Sequence, residues 1–198
     1  MATPTENSGQ NASFRARLRR ERIALREGMA PEARAQASAV IEAHLKELLL
    51  PRLPGVIAFC WPIRSEFDAR SLLRHFLLDR GWTACIPVVE QVDRPMVFRV
   101  WSPDGAMARD VHGIPIPAAG PCCHPDVILL PLVAFDGRGY RLGYGGGYFD
   151  RTLAVLNPRP WTIGVGYELG RVDTIRPEPH DVPLDFCVTE AGVSTPNR

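Results

Sequence analysis

Apolar residues along the chain follow two kinds of pattern. Over residues 56–61, 83–89, 96–101, 127–133, 162–167 and 186–189 they form short, nearly unbroken runs. Apolar runs of this length predict strands that are covered on both faces. Elsewhere the spacing is helical. Phe14, Leu18 and Leu25 lie four and seven residues apart, and Arg15, Arg19, Arg22 and Arg26 repeat on the adjoining face. A helix beginning near Ser13 would therefore carry an arginine ridge beside an apolar stripe. Pro31 suits the first turn of a second helix, whose core stripe is Val40, Ile41, Leu45, Leu48 and Leu49 and which Pro51 stops. Ala69, Leu72, Leu73, Phe76 and Leu77 predict a third helix ending at Gly81, and residues 148–156 a fourth.

Strands alternating with helices predict a single three-layer α/β/α domain with a mostly parallel central sheet. Residues 1–12 are polar and aperiodic and are expected to be a disordered tail, with the domain over 13–193 and a short C-terminal tail over 194–198.

Composition narrows the function classes. With 45% hydrophobic content in 198 residues, the chain can bury roughly 70% of its unfolded surface in one core. The 23 Lys and Arg against 22 Asp and Glu leave a net charge of +1, which excludes a chain-wide basic field for nucleic acid or a membrane surface. No apolar run approaches the roughly 18 residues of a membrane span, and the polar start lacks a signal-peptide core, so a cytoplasmic protein is expected. Lys46 is the sole lysine, so a cationic grip on an anion would be a guanidinium. The five cysteines, Cys60, Cys85, Cys122, Cys123 and Cys187, show no C-x-x-C spacing and are expected to be small hydrophobes rather than bridges, metal ligands or nucleophiles.

The densest chemistry lies in residues 126–151, where a buried strand leads through a glycine-rich turn into a helix. Gly143, Gly145, Gly146 and Gly147 lack a Cβ, so their amides can converge on an anion at a helix N-terminus. The turn matches neither G-x-x-x-x-G-K-[ST] nor G-x-G-x-x-G. Arg138, Arg141 and Arg151 flank it and can supply the positive charge. A flexible turn whose glycines only relieve crowding is the alternative reading.

GYRLGYGGGYFDRTL, residues 139–153, resembles the signature of the 5-formyltetrahydrofolate cyclo-ligases, also called methenyltetrahydrofolate synthetases. RARLRRER at 15–22, WPIRSEFD at 61–68 and HDVPLDFCVTE at 180–190 resemble three further motifs of that family, in the same order. The resemblance implies a three-layer domain of the CoA-transferase-like kind and an ATP- and Mg²⁺-dependent closure of 5-formyltetrahydrofolate to 5,10-methenyltetrahydrofolate, with ADP and phosphate released. The formyl oxygen would first be phosphorylated and then displaced by N10, which makes the site's task one of positioning and charge neutralisation. A relative that binds folate or nucleotide without catalysis is the alternative.

By motif match the resemblance implies ATP contacts from Arg15, Arg19 and the segment Arg141, Leu142, Gly143, Tyr144, Gly145, Gly146, Gly147, Tyr148 and Phe149. Arg141 and Tyr148 are the implied catalytic residues, and Asp150 and Asp185 the implied Mg²⁺ ligands. Trp61 and Glu66 are the implied substrate residues, an indole to stack on the pterin and a carboxylate to accept its N–H groups, with Tyr144, Gly145, Gly146, Gly147 and Tyr148 alongside. Without the resemblance, Arg15 and Arg19 read as a solvated basic face, as Arg22 and Arg26 do here, and each carboxylate as a cap or a solvated surface group. His180 and Asp181 receive no chemistry. A monomer without nucleic-acid or membrane partners is expected.

Overall fold

The computed structural model describes residues 4–196, and the side chains of all of these except residues 4–8 and 76–79. In chain order the elements are α1 (Pro4–Glu27), α2 (Pro31–Leu49), β1 (Val56–Ala58), α3 (Arg70–Arg80), β2 (Thr83–Val88), β3 (Val97–Val100), β4 (Met107–Arg109), β5 (Pro115–Pro117), β6 (Cys122–Cys123), β7 (Val127–Pro131), β8 (Ala134–Phe135), β9 (Arg141–Leu142), α4 (Tyr148–Val155), β10 (Trp161–Val165), β11 (Phe186–Thr189) and β12 (Gly192–Ser194).

Eight strands form one sheet in the order β12-β11-β10-β7-β1-β2-β3-β6. The five in the middle, from β11 to β2, run parallel, and the strands added at each edge run antiparallel. The α/β architecture with a mostly parallel sheet is thus the one the pattern predicts. β4 and β5 form a separate hairpin, as do β8 and β9. These short pairs carry no periodic signal of their own.

Side chains alternate across the sheet as the strand period requires. Ile57, Phe59, Ala84, Ile86, Val127, Leu129, Ile163 and Val165 face one way, against Ile41, Leu45 and Leu49 of α2 and Leu72 and Leu73 of α3. Ala58, Cys85, Ile128 and Leu130 face the other way, with Leu153 of α4. Phe76 and Leu77, expected on the core face of α3, lie outside the described side chains.

α1 departs most from expectation. It begins at Pro4, so residues 4–12, expected as a tail, are helical. Proline suits a first helical turn, and Asn11 anchors the segment by donating to Glu178 Oε1 at 2.9 Å. The helix also turns its arginine ridge inward, with Arg15 7% and Arg26 3% exposed while Leu25 is 52% exposed. α1 lies over loop ends beside the β8–β9 hairpin, where backbone carbonyls and carboxylates need donors more than apolar surface needs cover. Arg26 is therefore not the solvated residue that its spacing predicts.

Candidate functional site

The loops that leave β1 and β9 meet under α1. The first is a tight turn in which Ile63 N donates to Glu66 Oε2 at 3.0 Å and Glu66 N donates back to the Ile63 carbonyl at 3.0 Å. Arg64 and Ser65 between them have φ of 49° and 61°, a left-handed conformation that costs non-glycine residues of order 1–3 kcal/mol each. Side chains from two helices hold the turn in place. Glu27 accepts two bonds from Arg64, at 2.8 and 2.9 Å, and Arg34 donates to Ser65 Oγ at 3.1 Å.

The turn points the Glu66 side chain, 5% exposed, back toward the protein. Burial pushes its carboxyl above the usual carboxylate range, opposed by the Tyr144 hydroxyl, the Ile63 amide and the Arg26 guanidinium. Trp61, at the start of the same loop, is partly buried and carries the Arg70 guanidinium 4.3 Å from its ring centroid.

The second loop, 143–147, is built from its glycines. Gly145 and Gly147 have φ of 100° and 66°, and Gly147 forms the left-handed cap from which α4 starts. A Cβ on Gly147 would stand 2.8 Å from Arg151 Nη1, and one on Gly145 would stand 3.5 Å from Arg19 Cζ. Two loop carbonyls carry guanidinium groups, with Arg19 Nε donating to Gly143 O at 2.9 Å and Arg151 Nη2 to Gly146 O at 2.7 Å. Of the flanking arginines, Arg151 supplies charge at the loop, whereas Arg138 turns toward Asp136 and Thr174.

Arg141, 6% exposed, donates to Asp150 Oδ1 at 3.2 Å and to the Val182 carbonyl at 3.0 Å. Leu142 is fully buried against α1 and can offer a ligand only its backbone. Phe149 packs on the sheet face that α4 covers, with the Arg141 guanidinium 6.0 Å from its ring centroid. Tyr148 Oη lies 2.9 Å from His112 Nε2 at the tip of the β4–β5 hairpin.

The loops join at Tyr144, whose hydroxyl donates to Glu66 Oε1 at 2.6 Å and accepts from Arg26 Nη2 at 2.7 Å. The structure thus brings Glu66, Tyr144, Arg19 and the glycine turn together.

Arg15 and Asp185 are engaged elsewhere. Arg15 forms a two-pronged ion pair with Asp181 at 2.5 and 2.9 Å, both side chains under 10% exposed. Asp185 Oδ2 accepts from both the amide and the hydroxyl of Thr162, at 3.0 and 2.8 Å, at the start of β10. Asp150 stands in the first turn of α4, its Oδ1 shared by Arg141 and the Val182 amide. Among the described residues no group of three or more His, Cys, Asp or Glu is placed to hold a metal ion. A hard octahedral ion that takes one carboxylate together with phosphate and water oxygens asks for less, and Asp150 beside the loop meets that requirement.

Arg26 and Asp181 are the residues that sequence reasoning missed. An arginine at helical spacing and an aspartate in a loop give no local sign that each is buried on a partner more than 75 residues away.

The model of the 5-formyltetrahydrofolate cyclo-ligase family matches residues 10–190. Among curated proteins, the 5-formyltetrahydrofolate cyclo-ligase of Haemophilus influenzae is 28% identical over 181 residues, which are 88% of this chain and 96% of the relative. That of Mycoplasma genitalium is 32% identical over 165 residues, 78% of this chain and 90% of the relative. The NMR structure of Aquifex aeolicus 5,10-methenyltetrahydrofolate synthetase superposes with a TM-score of 0.80 at 28% identity, covering 93% of this chain and 94% of that one. The Mycoplasma pneumoniae synthetase, 24% identical, shares the fold with a TM-score of 0.72, covering 89% and 98%. No helix among the described residues is long and apolar enough to cross a membrane.

Proposed function

Because the chain belongs to the 5-formyltetrahydrofolate cyclo-ligase family, we propose that it converts 5-formyltetrahydrofolate to 5,10-methenyltetrahydrofolate with ATP as phosphoryl donor, releasing ADP and phosphate. The observation that carries this reading is the 2.6 Å bond between Tyr144 and Glu66. It ties the loop suited to a triphosphate to the carboxylate suited to a pterin, so the two ligands would lie side by side.

The formyl oxygen is a poor leaving group. Transfer of the γ-phosphoryl group to it breaks the bond to ADP. N10 then attacks the formyl carbon and gives up its proton, and phosphate leaves with the formyl oxygen. Catalysis of the first step is chiefly positioning and neutralisation of charge on the transferring group. The amides of Gly145, Gly146 and Gly147 would face the phosphates, with the nucleotide lying along the backbone from Leu142 to Phe149. Arg19 and Arg151, held on the carbonyls of Gly143 and Gly146, bring cations to the loop. Arg141 would neutralise the transferring group, and Tyr148, braced by His112, would contact it. Arg15 serves the nucleotide indirectly, by pinning α1 to Asp181.

Glu66 would accept from the pterin N–H groups once the Tyr144 hydroxyl yields, with the Tyr144 ring beside the substrate and the Trp61 face away from Arg70 stacking on it. Mg²⁺, when bound, would supply positive charge against the phosphates. Asp150, whose Oδ1 is shared by Arg141 and the Val182 amide, and Asp185, whose Oδ2 is held by Thr162 and whose Oδ1 lies 3.5 Å from Arg159, are the carboxylates proposed to hold it. The same reading has the protein act as a monomer in the cytoplasm, without a nucleic-acid or membrane partner.

The test is ring closure by the purified protein, followed by the absorbance of methenyltetrahydrofolate. Product is expected only when 5-formyltetrahydrofolate, ATP and Mg²⁺ are all present. Tight folate binding with no turnover would instead identify a non-catalytic relative.

A further inference from the structure

Arg26 has no place in the reading above, yet it is one of the most enclosed cations in the molecule, 3% exposed. Its guanidinium reaches three segments. Nε donates to the Arg64 carbonyl at 3.0 Å in the turn that carries Glu66, and Nη1 to the Leu132 carbonyl at 3.2 Å just beyond β7. Nη2 donates to Tyr144 Oη at 2.7 Å and stands 3.7 Å from Glu66 Oε1. A planar fork suits this arrangement, since each acceptor meets a different nitrogen, whereas a lysine ammonium carries its three donors on one atom.

We propose that Arg26 is a positioning residue for the folate site, holding Tyr144 and Glu66 in register and supplying the cation that faces the buried Glu66 carboxylate. The proposal rests on the reading of Glu66 as the substrate-binding group. The groups facing that carboxylate are the Tyr144 hydroxyl, the Ile63 amide, the Cys60 thiol and Arg26. Of these four Arg26 alone is a cation. When a pterin takes the place of the Tyr144 hydroxyl, Arg26 stays beside the carboxylate and keeps it an acceptor. An uncharged residue at position 26 removes one of the groups that oppose burial and pushes the Glu66 carboxyl further up, so more of it carries a proton and presents an O–H where the pterin needs a lone pair.

The test is calorimetric binding of 5-formyltetrahydrofolate between pH 6.5 and 9, with the KM for ATP measured in parallel, for the wild type, Arg26→Gln, Arg26→Lys and Glu66→Gln. Arg26→Gln is expected to weaken folate binding at least tenfold at pH 7, to regain affinity as the pH rises, and to leave the KM for ATP within twofold. Arg26→Lys is expected to bind weakly at every pH without that recovery, because the charge remains and the fork is lost. Folate affinity within twofold of wild type in folded Arg26→Gln overturns the proposal, as does a matched loss for folate and ATP with no dependence on pH. Where thermal melting shows Arg26→Gln unfolded, Arg26→Lys decides. A loss confined to folate supports the proposal, and an unchanged or evenly shared loss overturns it. Glu66→Gln separates the two readings, since unchanged folate affinity there removes Glu66 from the site and leaves Arg26 with nothing to position.

Discussion

The Tyr144 hydroxyl and the Glu66 carboxylate are joined by a 2.6 Å hydrogen bond across 78 residues of sequence. A pterin and the hydroxyl compete for the same carboxylate oxygen. A net hydrogen bond is worth about 0.5–1.5 kcal/mol, so Tyr144→Phe is expected to bind 5-formyltetrahydrofolate about two- to tenfold more tightly in the absence of nucleotide. Calorimetry measures this, and weaker binding would mean that the hydroxyl stays and touches the substrate.

Arg19 offers its guanidinium to the glycine loop from α1, whereas Arg17, two residues earlier, forms an exposed pair with Glu21 and lies over the Phe14 ring, away from the loop carbonyls. Losing a charge-assisted contact costs about 1.5–3 kcal/mol, while an exposed pair contributes at most about 1 kcal/mol. Arg19→Ala is therefore expected to raise the KM for ATP by roughly ten- to a hundredfold. Arg17→Ala should leave it within twofold. Equal effects in the two variants would place the nucleotide away from the loop.

The buried Arg15–Asp181 pair makes stability depend on pH. Burial alone would raise the Asp181 carboxyl, but the Arg15 guanidinium and the Glu178 amide outweigh it and hold the group below the usual carboxylate range. A carboxyl lowered in the folded state contributes stability at pH above its unfolded value, about 3.9, and loses it as pH falls through the folded value. Asp181→Asn leaves Arg15 without its charge partner. That substitution should cost on the order of 3 kcal/mol at pH 7, and the gap to wild type should begin to narrow as the pH falls below about 4. Urea unfolding across pH 3 to 7 reads both, and a gap that does not vary with pH would contradict the pairing.

Gly147 caps α4 from the left-handed region, where an alanine costs about 1–2 kcal/mol. Its Cβ would also displace Arg151, which holds the Gly146 carbonyl. Gly147→Ala should lower stability by about that amount and weaken ATP binding more than folate binding. Thermal melts and separate titrations of the two ligands check this.

The sheet was legible in the sequence because strands covered on both faces are apolar throughout, so Val127–Pro131 and Trp161–Val165 stand out without reference to a partner. The glycine turn was legible because positive φ at Gly145 and Gly147 requires that residue type. In α1 the apolar spacing places Leu18 correctly, buried beside Ala134 and Leu142, but Leu25 on the same stripe is 52% exposed. Periodicity assumes an apolar partner, and the partner of this helix is largely backbone oxygen. The links from Arg26 to Tyr144 and from Arg15 to Asp181 span 118 and 166 residues, and no local pattern encodes pairings of that range. The resemblance marked Asp185 as well as Asp150, but only the fold reveals the bonds that commit Asp185 to Thr162.

A complex with 5-formyltetrahydrofolate and a non-hydrolysable ATP analogue, solved by crystallography, tests the central claim most directly. It should have the γ-phosphate on the amides of Gly145 to Gly147, with Arg19 beside it, and the pterin on Glu66 with the Tyr144 hydroxyl displaced. A nucleotide bound away from the glycine loop, or a pterin that makes no bond to Glu66, would contradict the account.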